Sequence, residues 1–206
     1  MQVASNDSIF ATRTTTKLLD ALRDLSNEPV WSHINSRFRP VIAGLARRLG
    51  LNQSDADEVA QQTLAEFVRA YREGRYHREK GRLSSWILGI AHHTTLRMIR
   101  AGRHADGSKA GSLSEIADEA SLRSIWADER DRAILDRAIS MLREESEIDE
   151  RTLLAFELVA IRGVPAPEVG LQCQMSTDQV YVAKSRVTKK LRALVEELTN
   201  AFEEDT

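Results

Sequence analysis

Gly163-Val164-Pro165-Ala166-Pro167-Glu168-Val169-Gly170-Leu171-Gln172-Cys173-Gln174-Met175-Ser176-Thr177-Asp178-Gln179-Val180 decides the fold of the C-terminal part of this chain. Gly163 closes an apolar helix that carries Leu153, Leu154, Phe156, Leu158, Val159 and Ile161. A short helix then starts at the two prolines, which the first helical turn tolerates because its N–H groups lack intrahelical partners. Met175 reads as the apolar plug of a tight turn. Ser176 and Gln179 stand three apart, the spacing of a capping box, so a new helix starts at Thr177. It runs to about Leu198, with an inner stripe of Val180, Ala183, Val187, Leu191, Leu194 and Leu198. Short helix, tight turn and long helix make a helix-turn-helix.

The exposed face predicted for that long helix carries Gln179, Tyr181, Val182, Lys184, Ser185, Arg186, Thr188, Lys189 and Lys190. Lysine and arginine neutralise phosphates, while glutamine and serine reach base edges in a major groove. A basic helix face that is merely solvated is the alternative, and it stays open at this point.

Further upstream, Trp31, Ile34, Phe38, Val41, Ile42, Leu45 and Leu49 recur at separations of three and four, one buried helix face that Gly50 ends. Pro40 lies inside this run and predicts a kink or break near Phe38. Ser54 is expected to start the next helix, with Asp55, Asp57 and Glu58 in its first turn and Gly74 at its end. Residues 75–82 read as a basic loop, and helical periodicity resumes from Leu83 to Ile99.

The Gly- and Ser-bearing stretch after Gly102 is a linker signature. No stretch alternates as a strand would. The chain therefore reads as all-α, two small helical domains on a flexible linker: an N-terminal extension at 1–28 with a short amphipathic helix (Leu18, Leu19, Leu22, Leu25), a first module at 29–104, a linker at 105–127 and a second module at 128–206.

A net charge of −2 neither implies nor excludes a nucleic-acid partner, since a local basic face suffices. The single cysteine, Cys173, cannot form an internal disulfide and reads as a small apolar filler suited to a reducing compartment. No apolar run is long enough to span a bilayer, and no secretory leader is evident, so a soluble cytoplasmic protein is expected. The sequence holds no Gly-rich phosphate loop, metalloprotease spacing or nucleophile elbow, so no enzymatic activity and no cofactor are predicted. Adjacent His92 and His93 point to different sides of a helix and do not share a metal ion.

Three segments together resemble a known family. Asp55-Ala56-Asp57-Glu58-Val59-Ala60-Gln61-Gln62, then Arg82-Leu83-Ser84-Ser85-Trp86-Ile87 with Arg97 and Arg100 beyond it, look like region 2 of sigma factors. Met175 to Ser185 is similar to region 4 of the extracytoplasmic-function (ECF) group of the sigma-70 family, which also lacks an intervening third domain. The resemblance implies an initiation subunit of bacterial RNA polymerase. It would make core RNA polymerase (beta and beta-prime subunits) the partner and place Asp57, Glu58 and Gln61 on the clamp helices of its largest subunit. Arg82, Ser84, Ser85, Trp86, His93, Arg97, Arg100 and Arg103 would lie on the −10 promoter element. Thr177, Gln179, Tyr181, Val182, Lys184, Ser185, Arg186 and Lys189 would lie on the −35 element. Trp86 beside Ile87 and Ile90 also reads as core, and the acids before Val59 also read as a helix cap. After Gln61 the family often continues with an aromatic or acidic residue, whereas Gln62-Thr63 follows here, which leaves the exact polymerase-facing set open. An anti-sigma protein is a further partner the resemblance admits. A stand-alone helix-turn-helix regulator is the competing function.

Overall fold

The computed structural model describes residues 21–22, 28–105, 118–144 and 148–202, with the backbone alone for 103–105. Every regular element among them is helical: α1 (Glu28–Arg48), α2 (Gln53–Arg72), α3 (Leu83–Ala105), α4 (Glu119–Glu144), α5 (Glu150–Phe156), α6 (Ala166–Cys173) and α7 (Thr177–Phe202). A single 3-10 turn, Arg78–Lys80, interrupts the basic loop between α2 and α3. The described residues fall into two compact units, one up to Ala133 that also takes in α7 from Asn200, and one formed by Ile134–Thr199.

In the first unit α2 packs against both α1 and α3. The predicted stripe of α1 is buried from Ile34 to Leu45, opposite Val59 and Phe67 of α2 and Leu83, Ile87 and Ala91 of α3. Each large side chain removed from water in this way contributes roughly 1.5–3 kcal/mol. Leu22, from the predicted N-terminal helix, is fully buried in the same cluster; Leu18, Leu19 and Leu25 lie outside the described residues.

Of the kink or break expected near Phe38, the break does not occur: α1 continues through Pro40 to Arg48. Pro40 and Ser36, whose carbonyl loses its helical donor, are both exposed, so solvent can serve that carbonyl. The cap of α2 is Asn52 instead of Ser54: its side chain accepts from the Asp55 amide at 2.9 Å, and Ser54 lies inside the first turn. Gly50 and Gly74 end α1 and α2 as predicted, each with a positive φ (101° and 72°). At both ends the following amide bonds back across the last turn, Leu51 to the Ala46 carbonyl and Arg75 to that of Ala70.

The stretch expected to be linker is helical from Glu119 onward, while 106–117 lie outside the described residues. The start of α4 joins the first unit. Leu122 and Trp126 are buried, and Trp126 stacks on Phe38 with ring centroids 6.4 Å apart. Glu129, only 4% exposed, lies directly over Gly44, where a Cβ would collide with its carboxylate. Arg48 approaches that carboxylate at 3.3 Å. Glu129 is thus a charged residue within the buried side of α4. The last turn of α7 also packs here: Phe202 lies edge-on to Phe38 at 5.6 Å, and the Arg37 guanidinium donates to the Ala201 carbonyl at 2.7 Å. Arg37 also meets the His33 ring nitrogen and lies over the Phe202 ring. Burial pushes its pKa down to about 10.

The second unit takes the remainder of α4, then α5 to α7. Asp149 caps α5, accepting from the Thr152 amide at 2.9 Å and from its hydroxyl at 2.7 Å. The apolar helix predicted to run evenly to Ile161 widens after Phe156 into a π-helical stretch, Glu157–Ile161, before Gly163 (φ 69°) reverses the chain. A small core of Ala155, Leu158, Ala166, Val169, Cys173, Val180 and Ala183 holds α5, α6 and α7 together, with Met175 packed against it. Cys173 is the buried filler its sequence context suggests.

A candidate nucleic-acid interface

The turn between α6 and α7 sets the direction of the long helix. Gln174 adopts the left-handed conformation (φ 53°, ψ 46°), unusual for a residue with a side chain. Its successor, Met175, donates to the Gly170 carbonyl at 2.8 Å. A Cβ on Gly170 would stand 2.7 Å from the Met175 carbonyl oxygen, so the close return of the chain depends on glycine there. The capping box then starts α7 reciprocally, the Ser176 amide donating to Gln179 Oε1 at 2.8 Å and the Gln179 amide to Ser176 Oγ at 3.1 Å. Gln179, predicted as a base-reading residue, therefore has its carbonyl oxygen engaged in its own helix start.

Val180, Ala183, Val187, Leu194 and Leu198 of α7 are buried, and Leu191 is half-buried. Opposite them, at helical spacing, stand Asp178, Tyr181, Val182, Ser185, Lys189 and Arg192, all exposed. Lys184 and Arg186 are exposed on the flanks of this stripe, and Thr177 is half-buried at its start. Tyr181, Lys184, Ser185, Thr188, Lys189 and Arg192 line an open concavity. Arg192 was not among the residues predicted from sequence; its spacing of three from Lys189 and seven from Ser185 is the signal that would have found it.

In the first unit, Glu58 and Gln61 are exposed and Asp57 is half-exposed, on adjoining turns of one side of α2. Gln53 donates to Asp57 at 2.8 Å and Gln62 to Glu58 at 2.8 Å, while Arg97 of α3 reaches Gln62 Oε1 at 3.4 Å. Gln62 thus connects the acidic side of α2 to the basic side of α3. Along α3, Ser85, His93, Arg97 and Arg100 share one exposed side, and Arg82 is exposed just before the helix starts. Arg103 belongs to α3 by its backbone, and its side chain lies outside the described residues. Ser84 is half-buried.

Trp86 is half-buried between Phe67, edge-on at 5.6 Å, and Tyr76, stacked at 5.3 Å. It is a member of the aromatic core with one side toward solvent. His92 and His93 have ring centroids 6.1 Å apart, and the pKa of His92 is lowered, first by burial and then by His93. Among the described residues no group of histidine, cysteine or carboxylate side chains could hold a metal ion, and no helix is long and apolar enough to cross a membrane.

These surfaces suit different partners. The carboxylates of α2 repel phosphate and fit a protein surface, whereas the arginines of α3 and the cations of α7 attract a nucleic-acid backbone.

Residues 35–105, which comprise most of α1 and all of α2 and α3, match the family model for sigma-70 region 2. The chain is also 27% identical over 181 residues to the ECF RNA polymerase sigma factor SigE of Mycolicibacterium smegmatis, covering 87% of this chain and 66% of that protein. It is 25% identical over 170 residues to the ECF RNA polymerase sigma factor RpoE of Cereibacter sphaeroides, covering 79% of this chain and 91% of that one. Both of these relatives are ECF sigma factors, and the match to sigma-70 region 2 is confined to the first of the two units. The region 2 match falls on the bundle that carries both the acidic side of α2 and the basic side of α3. The helix-turn-helix of α6 and α7 lies outside that match.

Proposed function

We propose that this chain binds core RNA polymerase and directs promoter-specific initiation of transcription, with α2 facing the polymerase and two basic surfaces facing promoter DNA. The observation that carries the reading is the juxtaposition, inside a sigma-70 region 2 bundle, of an acidic and amide-bearing side on α2 with a row of Ser85, His93, Arg97 and Arg100 on α3. Asp57, Glu58 and Gln61 contact the core enzyme. Arg82, Ser85, His93, Arg97 and Arg100, with Ser84, Trp86 and Arg103 beside them, engage the −10 element and the strand separated there. Capturing an unstacked base costs a few kcal/mol, roughly, which these contacts must offset. In the second module, 128–206, α7 enters the major groove of the −35 element with Tyr181, Val182, Ser185 and Lys189 outward, flanked by Lys184 and Arg186, and with Thr177 and Gln179 at its start.

In vitro transcription with bacterial core polymerase and a promoter library tests this. Asp57→Ala with Gln61→Ala should lower core affinity while leaving DNA affinity of the assembled complex intact. Lys184→Ala with Arg186→Ala should do the reverse, weakening use of the upstream element while core binding survives. A chain that never associates with core enzyme yet binds a duplex unaided would instead be a stand-alone regulator.

A further inference from the structure

The outward stripe of α7 contains two features that a solvated helix has no use for. Val182 is 65% exposed and Tyr181 beside it is 54% exposed, on a face otherwise made of Asp178, Ser185, Lys189 and Arg192. A β-branched side chain loses χ1 freedom in a helix and gains nothing from water, so neither helix formation nor the core of the unit accounts for Val182. The charges around it restrict what can cover it. Lys184 and Lys189 with Arg192 favour a polyanion, and Asp178, one turn before Val182, disfavours phosphate at that spot. An apolar patch framed by cations, with a carboxylate acceptor beside it, matches the floor of a DNA major groove, where thymine offers a 5-methyl group and cytosine or adenine an exocyclic amine.

We infer that Val182 is a specificity-determining residue that packs on the 5-methyl group of one thymine in the upstream promoter element. The inference rests on the proposed reading of α7 as the DNA-entering helix and names what that helix selects. Lys184, Lys189 and Arg192 bind the flanking phosphates and are indifferent to sequence. Ser176 and Gln179 hold the start of the helix, and the Gly170 approach fixes its exit from the turn, so Val182 stands on a rigid element.

The test uses the full chain assembled with core polymerase. Upstream duplexes are selected from a random library, and each thymine of the preferred site is then replaced singly by deoxyuridine, which removes only the methyl group. At one position wild-type affinity should fall by about fourfold, the equivalent of one buried methyl group. Val182→Ala should bind the thymine and uracil duplexes equally at that position, with core affinity unchanged; alanine favours the helix, so folding is not at risk. If every uracil substitution leaves wild-type affinity unaltered, or if the methyl effect survives in Val182→Ala, the inference is overturned. Enrichment of a duplex whose affinity drops uniformly in Lys184→Ala with Arg186→Ala keeps the DNA reading standing in that event. A library from which nothing is enriched removes both.

Discussion

The two units keep their apolar side chains in opposite ways. In the first, Trp31, Phe67, Trp86, Tyr76 and Tyr71 form a continuous series of ring contacts with centroids 5.3–6.3 Å apart, each partly or wholly buried. In the second, the described core cluster has no aromatic member and is built from alanine, valine, leucine and one cysteine. There, Leu171, Val182, Ile161 and Tyr181 are more than half exposed. A bundle that interdigitates large rings derives its stability from volume. A helix-turn-helix with so little volume depends on how closely its backbone segments approach, which leaves larger side chains for the surface. The first unit should therefore be sensitive to side-chain size and the second to backbone conformation.

The strongest way to break this contrast is to remove a ring from the bundle. Phe67 is fully buried and touches Trp31, Tyr71 and Trp86, so Phe67→Ala should cost about 3–5 kcal/mol in a urea titration of the full chain. A loss below about 1 kcal/mol would mean the ring series is not what holds the unit together. A methyl group added at the turn should matter nearly as much: Gly170→Ala drives a Cβ against the Met175 carbonyl and should destabilise by about 1–3 kcal/mol. Amide exchange in α6 and α7 would locate the loss, which should leave α1 to α3 unaffected.

The opposite change sharpens the comparison. Gln174 bears the cost of a side chain in the left-handed region, so Gln174→Gly should stabilise the second unit by about 1 kcal/mol, read as a higher melting temperature. The smallest effect is one of pH. Hydrogen bonds from the Thr152 side chain and backbone hold the Asp149 carboxyl below its ordinary 3.8. A depressed carboxylate contributes stability that is complete above the ordinary value and is lost as pH falls through the lowered one. Acid titration of stability should therefore lose a component below pH 3.8 in the wild type that Asp149→Asn no longer has.

Much of the candidate interface is legible in the amino-acid sequence. The basic face of α7 follows from helical spacing, the acidic start of α2 and the arginines of α3 from the family resemblance, and all of their described members are exposed or half-exposed. Two features were not read from the sequence. Trp86 could be read as core or platform, and its stacking between Phe67 and Tyr76 depends on a loop residue ten positions away in the chain. Arg192 stands beyond the run of lysines, although it lines the same concavity.

The amino-acid sequence alone determined where most helices form, where they end at glycine, and that Ser176 and Gln179 cap α7, because each of these involves groups within about four residues of one another. Tertiary structure decided the rest. It assigned the start of α4 to the first unit through Trp126 on Phe38 and Glu129 over Gly44, carried α1 through Pro40, buried Arg37 against the end of α7, and placed Gln174 in the left-handed region. Those outcomes depend on surfaces that meet only when segments distant in the chain are packed together, and local periodicity contains no term for such contacts.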